Sequence, residues 1–347
     1  MQLDLLTGEE ALRLRSLIET SENIVICCHV NPDGDAIGSC LAWAEYLRSV
    51  GKDPQIIVPD MFPDFLQWLP GTERIMRYDK RTLLAGGIIA KADTVFCLDF
   101  HRMSRTGDMC PKLEASQARK VLIDHHLDPD PGCTLTVSRP EMSSTCELVF
   151  RIVNQLGGVE GLAARFATPV YCGMMTDTGG FTYNSTQPEI YYIISMLLAK
   201  GIDKDKIYRN VYNNYSENRL RLIGCVLYQK LVVDEQRHAS FFTLTRQDLR
   251  RFHYIKGDAE GLVNMPLQIK GLKLSISLRE DTERDNLVWV SLRSVDDFPC
   301  NKMAEMFFNG GGHLNASGGH LHCSIDEAVN TARRAILHFE NLLKAGR

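Results

Sequence analysis

At 347 residues the chain is long enough for two domains, each able to bury a core of its own. Hydrophobic residues make up 44% and charged residues 24%, the balance of an ordinary soluble globular protein. The net charge of −4 excludes any broad electrostatic attraction to long nucleic acid or to an anionic membrane, so a polyanionic substrate has to be held locally. The N-terminus, Met1-Gln2-Leu3-Asp4-Leu5-Leu6 with Glu9 and Glu10 soon after, lacks the basic-then-apolar order of a signal peptide, and no apolar run reaches membrane-span length. Eleven cysteines, mostly inside apolar segments and without C-x-x-C spacing, predict reduced core thiols and a cytoplasmic protein rather than a disulfide framework or zinc ribbon.

Residues 9–20 have helical apolar spacing, and 23–28 read as a strand. The strand runs into His29-Val30-Asn31-Pro32-Asp33-Gly34-Asp35, a polar loop that opens an apolar helix at 36–47. Open α/β sheets bind ligands at such strand-to-helix turns. One imidazole and two carboxylates fall within seven residues there, and two carboxylates so close repel each other unless a cation lies between them. A short strand at 55–58 and a helix at 81–90 follow, and the β-α-β-α order predicts a parallel sheet with right-handed crossovers. The strand 94–98 then ends in Asp99, and the strand 120–123 ends in Asp124-His125-His126. Three apolar strands thus carry Asp or His at their carboxyl ends, which in a parallel sheet all lie along one edge. Helices are expected at 143–155 and 162–175, the second leading into Thr176-Asp177-Thr178-Gly179-Gly180.

A mostly helical stretch at 188–229 reads as a linker between a catalytic domain at 1–187 and a smaller α/β domain at 230–347. The latter should contain strands at 231–233, 239–244, 272–278 and 287–292, with helices at 246–252 and 325–343. Its conspicuous feature is Asn309-Gly310-Gly311-Gly312-His313-Leu314-Asn315-Ala316-Ser317-Gly318-Gly319-His320, expected to be a loop whose glycines serve no packing purpose and offer backbone N–H groups to a phosphate or carboxylate. Two histidines within it, and Arg293 of Ser291-Leu292-Arg293-Ser294 before it, favour an anion site.

Together, His29, Asp33, Asp35, Asp99, His125 and Asp177 form a hard, oxygen-rich donor set that suits Mn²⁺ or Mg²⁺ better than a tetrahedral zinc. Two divalent cations would neutralise the four carboxylates, and such a pair can clamp the oxygens of an in-line phosphoryl displacement while making water acidic enough to attack at neutral pH.

The ordered motifs His29-x-Asn31-Pro32-Asp33-Gly34-Asp35, Asp99, Asp124-His125-His126 and Asp177-Thr178-Gly179-Gly180 closely resemble those of the DHH phosphoesterase family. Gly310-Gly311-Gly312-His313, preceded by Ser291-Leu292-Arg293-Ser294, resembles the DHH-associated C-terminal domain, so the resemblance covers nearly the whole chain. It implies that His29 and Asp33 bind one metal, Asp35 and His125 the other, and that Asp99 and Asp177 bridge, with Mn²⁺ ahead of Mg²⁺. His126 would face the scissile phosphate, with Asp124 orienting a histidine. Arg293, Ser294, Gly311, Gly312, His313 and His320 would bind the substrate, in a cleft between the domains. Within the family, the bare two-domain length resembles members that cut very short RNA and 3′-phosphoadenosine 5′-phosphate (pAp). A soluble phosphodiesterase of cyclic di-AMP or its linear product is the alternative. The glycine-histidine loop counts against family II pyrophosphatases. RecJ-type exonucleases would need an added oligonucleotide-binding fold. Short RNA and nucleotides are the expected partners, with neither long nucleic acid nor membrane, and a homodimer is left open.

Overall fold

The computed structural model describes residues 3–130, 132–255 and 257–345. The chain divides into two compact units, residues 1–214 and 215–347. The helical stretch expected as a linker is shared between them: Pro188–Ala199 and Lys204–Tyr212 belong to the first unit, Glu217–Cys225 and the short Val226–Lys230 turn to the second.

The first unit is built on six parallel strands: β1 (Ile24–Cys27), β2 (Gln55–Val58), β3 (Met76–Arg77), β4 (Thr94–Leu98), β5 (Arg119–Asp124) and β6 (Leu135–Ser138). Their order in the sheet is β3-β2-β1-β4-β5-β6. The chain winds outward from β1 to β3, returns to lay β4 beside β1, and winds the other way. This reversal creates a crevice at the carboxyl ends of β1 and β4, the place where open α/β sheets put their ligands. His29 follows β1 and Asp99 follows β4, so the two residues flank it.

Both sheet faces are covered, which is why the strands read as unbroken apolar runs. Ile24, Ile26, Phe96, Leu98, Val121 and Ile123 pack under helices that include Gly34–Ser49, Thr145–Gln155 and Ala164–Asp177, whereas Val25, Cys27, Val95, Cys97 and Leu122 face Ala85, Ile89 and Leu113 on the other side. Helices Gly34–Ser49 and Ala164–Asp177 approach closely because glycines line their contact. A Cβ on Gly34 would lie 2.2 Å from Thr176 Oγ1, and one on Gly38 would lie 2.6 Å from the Pro169 carbonyl oxygen. That contact sets the end of the second helix, with Asp177, against the start of the first, with Asp35.

The second unit holds a six-stranded mixed sheet of β7 (Val232–Asp234), β8 (Ala239–Leu244), β9 (Leu274–Glu280), β10 (Val288–Ser294), β11 (Gly311–Gly312) and β12 (Ala316–Leu321), in the order β11-β12-β10-β9-β8-β7. Only β8 and β9 run parallel. Ile276, Leu278, Val290 and Leu292 face a core made with the helices Cys300–Phe307 and Ile325–His338. No cysteine of either unit is in a disulfide. Among the described residues no helix is long and apolar enough to cross a membrane.

Here the expectation for residues 309–320 is corrected. The segment is a β-hairpin rather than an open loop, and Gly310, Gly312 and Gly319 are packing residues. A Cβ on Gly310 would sit 1.9 Å from the Gly318 carbonyl oxygen, and one on Gly319 would sit 2.2 Å from that of Phe308. Several amides are also committed: Gly310 N donates to Ala304 O, His313 N to Ala316 O, and His320 N to Phe308 O. A strand of Ala, Ser and Gly has none of the β-branched alternation that announces one, so its sequence conceals it.

Candidate active site

At the crevice of the first unit, donors from five elements converge into two clusters. His29, Asp33 and Asp99 offer ligand atoms within 4.8 Å of one another, as do Asp35, His125 and Asp177. His29 Nε2 lies 3.4 Å from Asp99 Oδ2 and 3.8 Å from Asp33 Oδ2, and its Nδ1 is 2.8 Å from the Val30 carbonyl oxygen. That second contact favours the tautomer with the proton on Nδ1, turning the Nε2 lone pair toward the carboxylates. His125 Nε2 lies 3.4 Å from Asp177 Oδ2, 3.7 Å from Asp99 Oδ1 and 3.9 Å from Asp35 Oδ2. Asp99 therefore presents Oδ2 to one cluster and Oδ1 to the other. It does so from a left-handed backbone (φ 63°), which aspartate tolerates better than most residues.

Local sequence explains each placement. Asp33 caps the helix Gly34–Ser49, its Oδ1 accepting from the amides of Asp35 and Ala36 at 3.0 Å each, while its Oδ2 lies 3.8 Å from His29 Nε2. Asp35 is 1% exposed and tied to the start of another helix: its oxygens accept from Thr145 N at 2.6 Å and Cys146 N at 2.8 Å. Unpaired N–H groups and the positive end of a helix dipole stabilise a carboxylate there. The Thr145 hydroxyl donates to Asp99 Oδ1 at 2.9 Å. Sequence reasoning missed Thr145 and Cys146 as supports of the site. The capping pattern Ser144-x-x-Glu147 was the available signal for a helix start, but not for the distant carboxylate that shares it.

His126 stands at the edge of the clusters. Its Nδ1 is 2.7 Å from Asp124 Oδ1 and 3.9 Å from Asp99 Oδ1, and its ring packs edge-on against His125. Asp124 is fully buried at the end of β5 and holds this ring, as a fixed carboxylate behind a histidine does. His101, two residues after Asp99 and also missed from sequence, stacks at 5.8 Å from His126.

Charge crowding is the dominant electrostatic feature. Burial, and then the charges of Asp99 and Asp177, push the Asp35 carboxyl well above the usual range. Burial, with Asp33 and Asp99, does the same to Asp177. Burial opposes the charged form of His29, but the hydrogen bond that the ring donates to Asp99 and the charge of Asp33 outweigh it and raise the ring to about 9. Asp99 is held low, against its own burial, by His29. Four carboxylates and two imidazoles in one crevice are therefore neutral overall only if they hold protons or cations. Within each cluster the imidazole nitrogens lie 3.4 to 3.9 Å from carboxylate oxygens, and this oxygen-rich donor set suits a divalent cation.

In the second unit, Arg293 lies on the sheet face opposite the core, with Nη1 donating to the Leu292 carbonyl. Ser294 points the other way. It is buried, its hydroxyl donates to Phe298 O and accepts from Asn315 Nδ2, and its contribution is to packing. Gly311 and Gly312 form β11, His313 begins the turn to β12, and His320 lies on β12 beside Trp289.

A crevice at the switch point of a parallel sheet, lined by two carboxylate-histidine clusters, is a place where divalent cations can be held. The DHH family N-terminal domain model matches residues 23–174, and the chain belongs to the DHH phosphoesterase family. It is 49% identical to an exopolyphosphatase-related protein from Bacteroides fragilis of known structure, with a TM-score of 0.93 over 98% of this chain and 100% of that one. It is also 29% identical to the bifunctional oligoribonuclease and PAP phosphatase NrnA of Thermus thermophilus, over 93% of this chain and 91% of that protein. The cyclic-di-AMP phosphodiesterase GdpP of Geobacillus thermodenitrificans is 26% identical over 93% of this chain, which spans only 48% of it.

Proposed function

We propose that the protein is a cytoplasmic phosphoesterase using two divalent cations to hydrolyse very short RNA to mononucleotides and pAp to AMP. The observation that carries this reading is the pair of donor clusters with Asp99 turned toward both. His29 and Asp33 would hold one cation, Asp35 and His125 the other, and Asp99 and Asp177 would serve both. The imidazoles in the set favour Mn²⁺ over Mg²⁺. Such cations neutralise the carboxylates, polarise a phosphoryl oxygen and lower the pKa of water toward neutrality.

The chain's own residues do the remaining work. Thr145 and the amides of its helix keep Asp35 and Asp99 oriented. His126, steadied by Asp124, gives a proton to the departing oxygen. Arg293 and His313 supply positive charge and hydrogen-bond donors to the substrate. The name borne by the Thermus relative agrees with this substrate class. One observation favours a second reading, hydrolysis of cyclic di-AMP, namely the similarity to GdpP.

Chromatographic product analysis in Mn²⁺ separates the two readings, using pAp, pApA, cyclic di-AMP and pyrophosphate as substrates. AMP from pAp and from pApA is expected. Turnover of cyclic di-AMP, with or without its linear product pApA, and with pAp left intact would transfer the assignment to the second reading, and turnover of pyrophosphate alone would refute both.

A further inference from the structure

On β10, β11 and β12, the face turned away from the helices Cys300–Phe307 and Ile325–His338 has an arrangement that the expected substrate residues do not account for. Strand register places Gly311, Gly318 and Ser291 side by side across β11, β12 and β10, with the buried Ser277 of β9 beyond them. A Cβ on Gly311 would meet nothing within 4 Å, and one on Gly318 would meet only the Val290 carbonyl oxygen, at 3.3 Å. This row is therefore the floor of a trough one side chain deep. Two residues along the strands in one direction stands the row of Ala316, Arg293 and Ser275, and two residues in the other stands the row of His320, Trp289 and Arg279. Because side chains alternate with a period of two, all three rows share the face opposite the core of Ile276, Leu278, Val290 and Leu292; toward β8 that face is covered, with Ser275 buried and Phe242 and Leu244 packed against Leu249, Leu262 and Val263, and it is accessible on β10 to β12.

The Trp289 wall is rigid and partly bare. The indole N–H donates to Asp281 Oδ2 at 2.7 Å, and Asp281 is itself fixed by accepting from the amides of Glu283 and Arg284. The ring packs on His320 with centroids 5.9 Å apart, and His320 packs on His322. Yet 36% of Trp289 is exposed. A pinned aromatic ring with a bare face, about 13 Å along the strand from an arginine, matches one nucleotide reaching from its phosphate to its base.

We infer that Trp289, backed by His320, recognises the nucleobase: a substrate nucleotide lies in the trough with its phosphate on Arg293 and its base stacked on the indole. The inference rests on the nucleotide-substrate reading above and deepens it. Stacking uses the π-face that every base has, so recognition tolerates all four bases and favours the larger purines. It also rejects phosphate esters that carry no base.

Steady-state kinetics of Trp289→Ala and Trp289→Phe on pAp, and on the abasic ribose 3,5-bisphosphate, test this. Trp289→Ala should raise KM for pAp about 5- to 150-fold, the range of one base stack, with kcat nearly unchanged and the abasic ester unaffected. Trp289→Phe, which also loses the bond to Asp281 but keeps an aromatic face, should restore most of the affinity. An unchanged KM in Trp289→Ala, an equal loss for the abasic ester, or a Phe variant as weak as the Ala variant would each overturn the inference. Should the wild-type protein hydrolyse no nucleotide, the reading of function fails separately, and titration of AMP against tryptophan emission still decides the stacking. Quenching in wild type that disappears in Trp289→Phe supports it, and identical quenching in both refutes it.

Discussion

Asp99→Asn should lower turnover of pAp by on the order of 10³-fold, the scale of losing a group aimed at developing charge in the reaction. The two oxygens of Asp99 are divided between the clusters, Oδ2 lying 3.4 Å from His29 Nε2 and Oδ1 3.7 Å from His125 Nε2. Losing its charge therefore weakens both cation sites together. Asparagine is a cleaner substitution than alanine, because it keeps the side-chain volume and also tolerates the left-handed backbone at this position. The measurement is kcat at saturating Mn²⁺, with metal content per chain determined in parallel and circular dichroism as the check on folding. Full kcat with normal metal content would remove Asp99 from its shared role.

A separate pair of variants should divide binding from chemistry. His126→Ala is expected to lower kcat by about 10²- to 10⁴-fold, the usual contribution of a positioned proton donor, with KM little changed. The basis is a ring held by the buried Asp124 at 2.7 Å and lying 3.9 Å from Asp99 Oδ1, at the edge of the two clusters. Arg293→Ala should instead raise KM by about 10- to 150-fold, the equivalent of one hydrogen bond to a charged group, and leave kcat largely intact. Arg293 belongs to the second unit and has none of the cluster donors as sequence neighbours. If His126→Ala changed KM alone and Arg293→Ala changed kcat alone, the two roles would have to be exchanged.

The candidate site was legible in the sequence because its residues sit where a short-range pattern ends. His29, Asp99 and Asp124-His125-His126 each follow an apolar run, and a parallel sheet gathers such ends along one edge. What stayed hidden depends on long-range packing or on weak local signals. The reversal of strand order between β1 and β4 is a tertiary fact, and so is the support of Asp35 by amides 110 and 111 residues away. Strand β3 has two residues, too few for any periodicity. The hairpin at 311–321 escaped for the opposite reason, since its run of glycines looks like a flexible loop, whereas at Gly310, Gly312 and Gly319 a side chain would collide with neighbouring backbone. Trp289 was passed over within an otherwise ordinary strand, because alternation says that a side chain faces outward and nothing about what lies beside it.

The central claim, a two-cation phosphoesterase for very short RNA, is tested most directly by competition in one tube between labelled three-nucleotide and twenty-four-nucleotide RNA in Mn²⁺, followed on a sequencing gel with a chelator-treated control. Long strands gain affinity through many basic contacts along an extended groove, whereas this chain carries a net charge of −4. Extra nucleotides should therefore add ordering and desolvation costs without new contacts. The account predicts that the trinucleotide disappears first, to mononucleotides, and that chelator stops the reaction. Processive loss of the longer strand ahead of the shorter, or undiminished cleavage in excess chelator, would contradict it.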